Sequence, residues 1–179
     1  MAKPQSDLNF WLMSLSFSIR DFFSPRKNIL KEVEIKEGFH VLDFGCGPGG
    51  YILPLAHLTG KSGKVFALDT SSMAIKSVKT VIIKNHLPNV ETIHSDCKTG
   101  LPDNSIDVAL LYDVFHGLNH PDNILKELHR VLKPHGILSV TDHHLEEREI
   151  VLNLTNKGHF TLAKKGQKTY SFSKTRPIH

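Results

Sequence analysis

A chain of 179 residues, 40% apolar and 22% charged, has room for one domain with a real core but not for two well-packed ones, and this composition excludes a disordered or fibrous protein. Its two cysteines, Cys46 and Cys97, form neither a disulfide framework nor a CxxC redox or zinc pair, which points to a reducing, cytoplasmic setting. The net charge of +4 is unevenly spread: no Asp or Glu follows Glu149, whereas Lys157, Lys164, Lys165, Lys168, Lys174 and Arg176 all do. Such a segment either attracts an acidic partner or guards an exposed strand edge with lysines, and the second reading is preferred.

In chain order, Leu8, Trp11, Leu12, Leu15, Ile19, Phe22 and Phe23 fall at helical spacing, with Phe10, Met13 and Phe17 on a second stripe. Residues 1–35 are therefore expected to form a helical extension, either packed on the domain or covering a substrate pocket as a lid. Asp7, Asn9 and the interrupting serines argue against a signal peptide, and the run is too short and broken to span a bilayer.

From Phe39 onward strand-like and helix-like runs alternate. Strands are predicted at His40–Phe44, Val65–Leu68, Val90–His94, Ile106–Leu111 and Ile137–Thr141. Helices are predicted at Tyr51–Leu58, Ser72–Asn85 with a serine N-cap, Pro121–Leu132 ended by Lys133-Pro134-His135-Gly136, and Glu146–Asn156 stopped at Lys157-Gly158. Phe160–Ala163 and Thr169–Ser173 flank a Lys165-Gly166 turn and read as a closing hairpin. This alternation implies an α/β domain with a mostly parallel sheet and right-handed crossovers, and the hairpin forces one antiparallel strand.

The chemistry is concentrated where strands end. His40-Val41-Leu42-Asp43-Phe44 runs into Gly45-Cys46-Gly47-Pro48-Gly49-Gly50. Gly45, Gly47 and Gly50 satisfy GxGxxG, which suggests a dinucleotide pyrophosphate at a helix N-terminus. The same loop also satisfies acid-x-Gly-x-Gly-x-Gly through Asp43. A carboxylate there repels a pyrophosphate and suits a ligand carrying an ammonium and a sulfonium. Asp69 ends the next strand, where a carboxylate can accept ribose hydroxyls, and Asp96 ends the third, where it can accept from an adenine amino group.

These segments resemble the class I S-adenosylmethionine-dependent methyltransferases, especially the small-molecule group that includes ubiquinone and menaquinone methyltransferases. The resemblance covers residues 26–174 and rests on Val41 to Gly49, Val65 to Met73, Ser95-Asp96-Cys97, Leu101 to Asp107 and Glu127 to Gly136. It implies a doubly wound, Rossmann-like α/β fold whose seven-stranded, mostly parallel sheet has a reversed final strand, with residues 36–179 forming the S-adenosylmethionine-binding domain. By motif, Gly45, Cys46 and Gly47 would let the loop approach the methionine moiety, and Asp43 would hold its ammonium. Asp69 would bind the ribose with Thr70 and Met73 beside it, Asp96 and Cys97 would hold the adenine, and Tyr112 would face the methionine end.

Methyl transfer from a sulfonium is an in-line displacement, so alignment and exclusion of water are the main requirements. Acceptor-side candidates are His116, Asp113 and His143, with His144 adjacent. Twelve histidines raise the question of a metal, but their spacing names no ligand set, so no metal is expected. Tyr112-Asp113-Val114-Phe115 lacks the two prolines of amino-directed nucleic-acid methyltransferases, which argues against nucleic acid and for a small-molecule acceptor. Trp11, Phe22, Phe23, Tyr112 and Phe115 would give that acceptor an apolar, aromatic lining. Two alternatives stay open: a cofactor-binding partner or regulatory protein without turnover, and a nicotinamide-dependent reductase.

Overall fold

The computed structural model describes residues 26–175; the predicted N-terminal helix and Arg176 lie outside the described residues. After helix α1 (Arg26–Lys31), strands β1 (His40–Phe44), β2 (Lys64–Asp69) and β3 (Val90–His94) alternate with helices α2 (Ile52–Thr59) and α3 (Ser72–Asn85). Strand β4 (Ile106–Tyr112), a short 3-10 turn (Phe115–Gly117), α4 (Pro121–Val131), β5 (Leu132–Thr141), α5 (Glu147–Thr155), β6 (Phe160–Lys165) and β7 (Tyr170–Lys174) complete the order.

The seven strands form one sheet ordered β3-β2-β1-β4-β5-β7-β6. Strands β1 to β5 are parallel, and β7 runs antiparallel to both of its neighbours, as the closing hairpin requires. Between β1 and β4 the winding direction reverses. In open α/β sheets this switch point leaves a crevice at the strands' carboxyl ends, where ligands bind.

Alternate strand residues feed opposite faces. Val41, Val65, Ala67, Val108 and Leu110 pack with α2, Val78 of α3, and Leu30 and Val33. Leu42, Phe44, Phe66, Leu68, Ala109 and Leu111 pack with Ile124, Leu125 and Leu128 of α4, Ile150 and Leu154 of α5, and Phe160 and Phe172 of the hairpin. Helices therefore cover both faces, which is why the central strands read as unbroken apolar runs.

The predicted N-cap is present: Ser71 accepts the Ala74 N–H through its hydroxyl at 3.4 Å. The α4–β5 junction differs from the sequence expectation. Leu132 is already extended and pairs with Ile106, and pairing resumes only at Ile137 with Val108, so Lys133 to Gly136 bulge out of one continuous strand. Pro134 has no N–H to give the ladder, which explains both the break and its position. Strand β6 runs two residues longer than predicted, to Lys165, and β7 keeps the predicted length but lies one residue further on, at Tyr170–Lys174.

Strand β6 forms the sheet's outer edge, with only Phe160 buried. Several late lysines find acceptors within the chain: Lys164 pairs with Glu34 at 3.1 Å, Lys157 with Asp122 at 3.3 Å, and Lys165 with Glu147. Lys174 donates to Asn104 Oδ1 and to the Leu132 carbonyl at 2.8 and 2.9 Å. Of these, Lys164 and Lys165 stand on the edge strand itself, where lysines hinder pairing with another chain.

Candidate active site

The loop after β1 starts at the switch crevice. Asp43 pairs in register with Ala67 on one side and Leu110 on the other, and it is buried to 2% exposure. The Gly45 and Cys46 N–H groups both donate to the Leu68 carbonyl, at 2.8 and 2.9 Å, so the loop folds over the end of β2. Ser77 of α3 donates its hydroxyl to the Pro48 carbonyl at 2.9 Å and pins the loop's far side.

Glycine is required at the first position. Gly45 has φ +82°, and an added Cβ would lie 2.6 Å from Cγ2 of Val114, in the loop after β4. The loops following β1 and β4 thus touch at that point. Gly47, at φ +51°, has nothing within 4 Å of an added Cβ, so its face is open to a ligand. Burial pushes the Cys46 thiol up, and the charges of Asp43 and Asp69 add to this, so it stays protonated and is no nucleophile.

Asp69 is the loop's direct partner. Its Oδ2 accepts the Gly47 N–H at 2.9 Å and its Oδ1 accepts the Ser71 N–H at 2.8 Å. A carboxylate offers about four acceptor positions. Two N–H bonds therefore fix its orientation while leaving capacity for two ligand hydroxyls.

Met73 sits half-buried in the first turn of α3, and Thr70 is exposed beside it, its carbonyl 2.9 Å from His94 Nε2. Asp96 is exposed in the turn after β3, and the Cys97 N–H is directed to Ser95 Oγ at 3.3 Å. The structure thus joins Asp69 directly to the loop and leaves Thr70, Asp96 and Cys97 at the crevice rim.

Tyr112 is the last residue of β4 rather than the first beyond it. Its hydroxyl lies 2.9 Å from Ser139 Oγ and its ring packs edge-on to Tyr51 at 5.1 Å. Burial pushes the phenol up, so Tyr112 is a neutral wall and not a base. Phe115, expected in an acceptor pocket, is 7% exposed and packs in the core against the α4 side of the sheet. Trp11, Phe22 and Phe23 lie outside the described residues.

Beyond Tyr112 the carboxyl ends of β4 and β5 carry two crossed acid–imidazole pairs. Asp113, after β4, accepts the His143 N–H at 3.1 Å, and its Oδ1 lies 2.7 Å from His143 Nδ1. Asp142, after β5, accepts the N–H groups of His116 and His144 at 3.0 Å each, and both its oxygens lie 2.9 Å from His116 Nδ1. A carboxylate only accepts, so Nδ1 carries the proton in each pair.

The His144 ring lies between the other two imidazoles, with centroids 4.1 Å from His116 and 3.9 Å from His143. The Asp142 side chain is fully buried, whereas those of His116 and His143 are 35% and 58% exposed. All three predicted acceptor-side residues, His116, Asp113 and His143, therefore meet in one cluster.

Sequence reasoning missed Asp142, the residue that organises this cluster. The signal was present: it closes the run Ile137-Leu138-Ser139-Val140-Thr141, as Asp69 closes β2.

Comparison with known proteins accords with this arrangement. Residues 35–174 match the methyltransferase domain family. The chain is 34% identical over 128 residues to a demethylmenaquinone methyltransferase of Geobacillus stearothermophilus, covering 70% of this chain and 54% of that protein. It is 35% identical over 120 residues to the Listeria monocytogenes serotype 4a protein of the same name, covering 65% and 50%. The chain thus spans about half the length of the curated relatives it matches.

Among solved structures, a SAM-dependent methyltransferase from Aquifex aeolicus superposes with a TM-score of 0.75 at 30% identity, covering 84% of this chain and 88% of that one. A switch crevice flanked by a glycine loop and strand-end acids, in a chain matched over most of its length, leaves one assignment: this protein belongs to the methyltransferase domain family.

Proposed function

We propose that the chain transfers a methyl group from S-adenosylmethionine to a small-molecule acceptor, in the crevice between the carboxyl ends of β1 and β4. The observation that carries this reading is Asp69, which accepts the Gly47 N–H of the glycine loop and the Ser71 N–H at the start of α3 and keeps acceptor capacity for vicinal hydroxyls. The open face at Gly47 fits the same ligand, because nothing fills the space where its Cβ would be.

When bound, S-adenosylmethionine supplies a methyl group on a sulfonium whose leaving group is already activated. The chain's own residues then bind and orient. Asp43, buried at the centre of the sheet, attracts the methionyl ammonium and disfavours a pyrophosphate. Asp69 receives the ribose, while Asp96 and Cys97 at the rim receive the adenine. Tyr51 and Tyr112 wall the methionyl end and exclude water.

The acceptor meets the other side of the crevice. There Asp142 fixes the imidazole of His116, and Asp113 fixes that of His143. Side chains held by fixed carboxylates lose little orientational entropy when an acceptor binds, which is the contribution this chemistry needs. The polar lining favours an acceptor with a polar head group. The names of the relatives add a quinone-like ring as the first compound class to assay.

Titration calorimetry of the purified protein with S-adenosylmethionine, its demethylated product and NADH tests the donor. Saturable binding of the first two is expected, with affinity falling about 10- to 100-fold in Asp69→Ala, the scale of lost hydrogen bonds to a charged group. Tight NADH binding without sulfonium binding would overturn the reading. Transfer of labelled methyl from the donor into a metabolite extract then separates an enzyme from a binding protein.

A further inference from the structure

We propose that Asp113, Asp142 and His143 form a binding site for one divalent transition-metal cation at the acceptor side of the crevice. One donor atom from each residue lies within 4.8 Å of the other two, a spread that a cation with bonds of about 2.1 Å can gather with small side-chain movements, the ion replacing the proton that His143 Nδ1 gives Asp113 and that proton passing to solvent. Sequence spacing names no ligand set here because the donors come from two loops, after β4 and after β5, that only the parallel pairing of Tyr112 with Thr141 brings together.

Acceptor capacity decides whether Asp142 can ligate. Its carboxylate takes three N–H donors, from the backbone of His116, the backbone of His144 and His116 Nδ1. His116 Nδ1 bridges both oxygens, so these bonds reach all of about four acceptor positions, and a cation takes one by drawing that shared N–H onto a single oxygen. Among the described residues Asp142 pairs with these donors and with no lysine or arginine, although its side chain is fully buried. Taking a carboxylate out of water is costly without a strong counter-charge, and a bound cation provides one. Asp113 is 11% exposed and His143 58%, so the cluster opens toward solvent on the His143 side, which gives an ion a way in.

Two carboxylates and one imidazole, without a thiolate, suit Mn²⁺, Fe²⁺, Co²⁺ or Zn²⁺ rather than Ca²⁺ or Cu⁺. Three protein ligands leave coordination positions for water or for an oxygen of the acceptor. The site adjoins the donor loop: Val114, next to Asp113, is the residue that Gly45 abuts. This proposal goes beyond the methyl-transfer reading and does not need it, since binding of the ion is measured directly.

The experiment uses the full chain, stripped with chelator and titrated with Mn²⁺ under electron paramagnetic resonance, with S-adenosylmethionine titrated in parallel on the same preparations. One saturable Mn²⁺ per chain is expected, weakened at least 10-fold in Asp113→Asn and in His143→Ala and unchanged in Glu91→Gln, a surface carboxylate on β3. His143→Ala changes an exposed side chain, so it remains informative if Asp113→Asn fails to fold. No saturable Mn²⁺ binding, or binding equal in wild type and His143→Ala (an adventitious ion only), overturns the proposal. Sulfonium binding without Mn²⁺ binding refutes the metal site alone, and Mn²⁺ binding without sulfonium binding refutes the methyl-donor reading alone.

Discussion

The contact between the loops after β1 and β4 makes Gly45→Ala a quantitative test of the crevice. Two costs are expected. A φ of +82° is strained for a residue with a Cβ, at about 1–2 kcal/mol. The new methyl would also sit 2.6, 3.0 and 3.2 Å from Cγ2, Cβ and Cγ1 of Val114, inside normal contact distance. Val114 is β-branched and stiff at χ1, so it cannot swing aside cheaply, and overpacking of this kind costs about 1–3 kcal/mol.

The sum is about 2–5 kcal/mol, or a fall in Tm on the order of 10 °C for a chain of this size. Gly47→Ala supplies the comparison. It carries the backbone strain at φ +51° but meets nothing within 4 Å, so it should cost only about 1 kcal/mol. Urea unfolding of the two variants, of Val114→Ala and of the double variant Gly45→Ala/Val114→Ala closes a mutant cycle. A coupling above about 1 kcal/mol is expected, because shortening Val114 removes the clash but not the strain. Equal losses in Gly45→Ala and Gly47→Ala, with no coupling to Val114, would refute the apposition of the two loops.

Three further outcomes follow from the same geometry. Glu127 accepts from Arg130 Nε and Nη2 at 2.9 and 2.7 Å and from the Thr99 N–H and hydroxyl at 2.9 and 2.7 Å, and the Arg130 bonds lead in lowering its carboxyl from 4.5 to about 2. A depressed folded-state value stabilises above the unfolded one and is lost as pH falls through about 2. This amounts to up to about 3 kcal/mol disappearing between roughly pH 5 and 2, and acid titration of stability in Glu127→Gln should be flatter over that window. Phe172 of β7 is fully buried, so Phe172→Ala should cost about 3–5 kcal/mol in denaturant unfolding; a loss under 1 kcal/mol would contradict its place in the core. On the edge strand, Leu162 is 40% exposed, and Leu162→Ser should shift stability by under about 0.5 kcal/mol, with a larger loss pointing to a covered edge.

The sequence by itself determined the α/β class, the run of strands and helices from His40 onward, the reversal at the closing hairpin and the strand-end acids Asp43, Asp69 and Asp96. These are legible because local physics writes them: doubly covered strands must be apolar throughout, helices must be apolar every third or fourth residue, and chain turns need Gly, Pro or a cap. The glycine loop was legible for the same reason, since positive φ and close approach select residue type directly.

What the tertiary structure decided is everything that depends on register between distant strands. That Val114 closes on Gly45, that Tyr112 spends its hydroxyl on Ser139, and that Phe115 faces the core could not be read from spacing along the chain. The crossed pairs Asp113–His143 and Asp142–His116 are the clearest case, with partners 30 and 26 residues apart. Their meeting depends on β4 pairing with β5 so that Tyr112 lies opposite Thr141. A slip of one residue would turn alternate side chains to the other face, so only the folded sheet could show that Asp142 organises the histidine cluster.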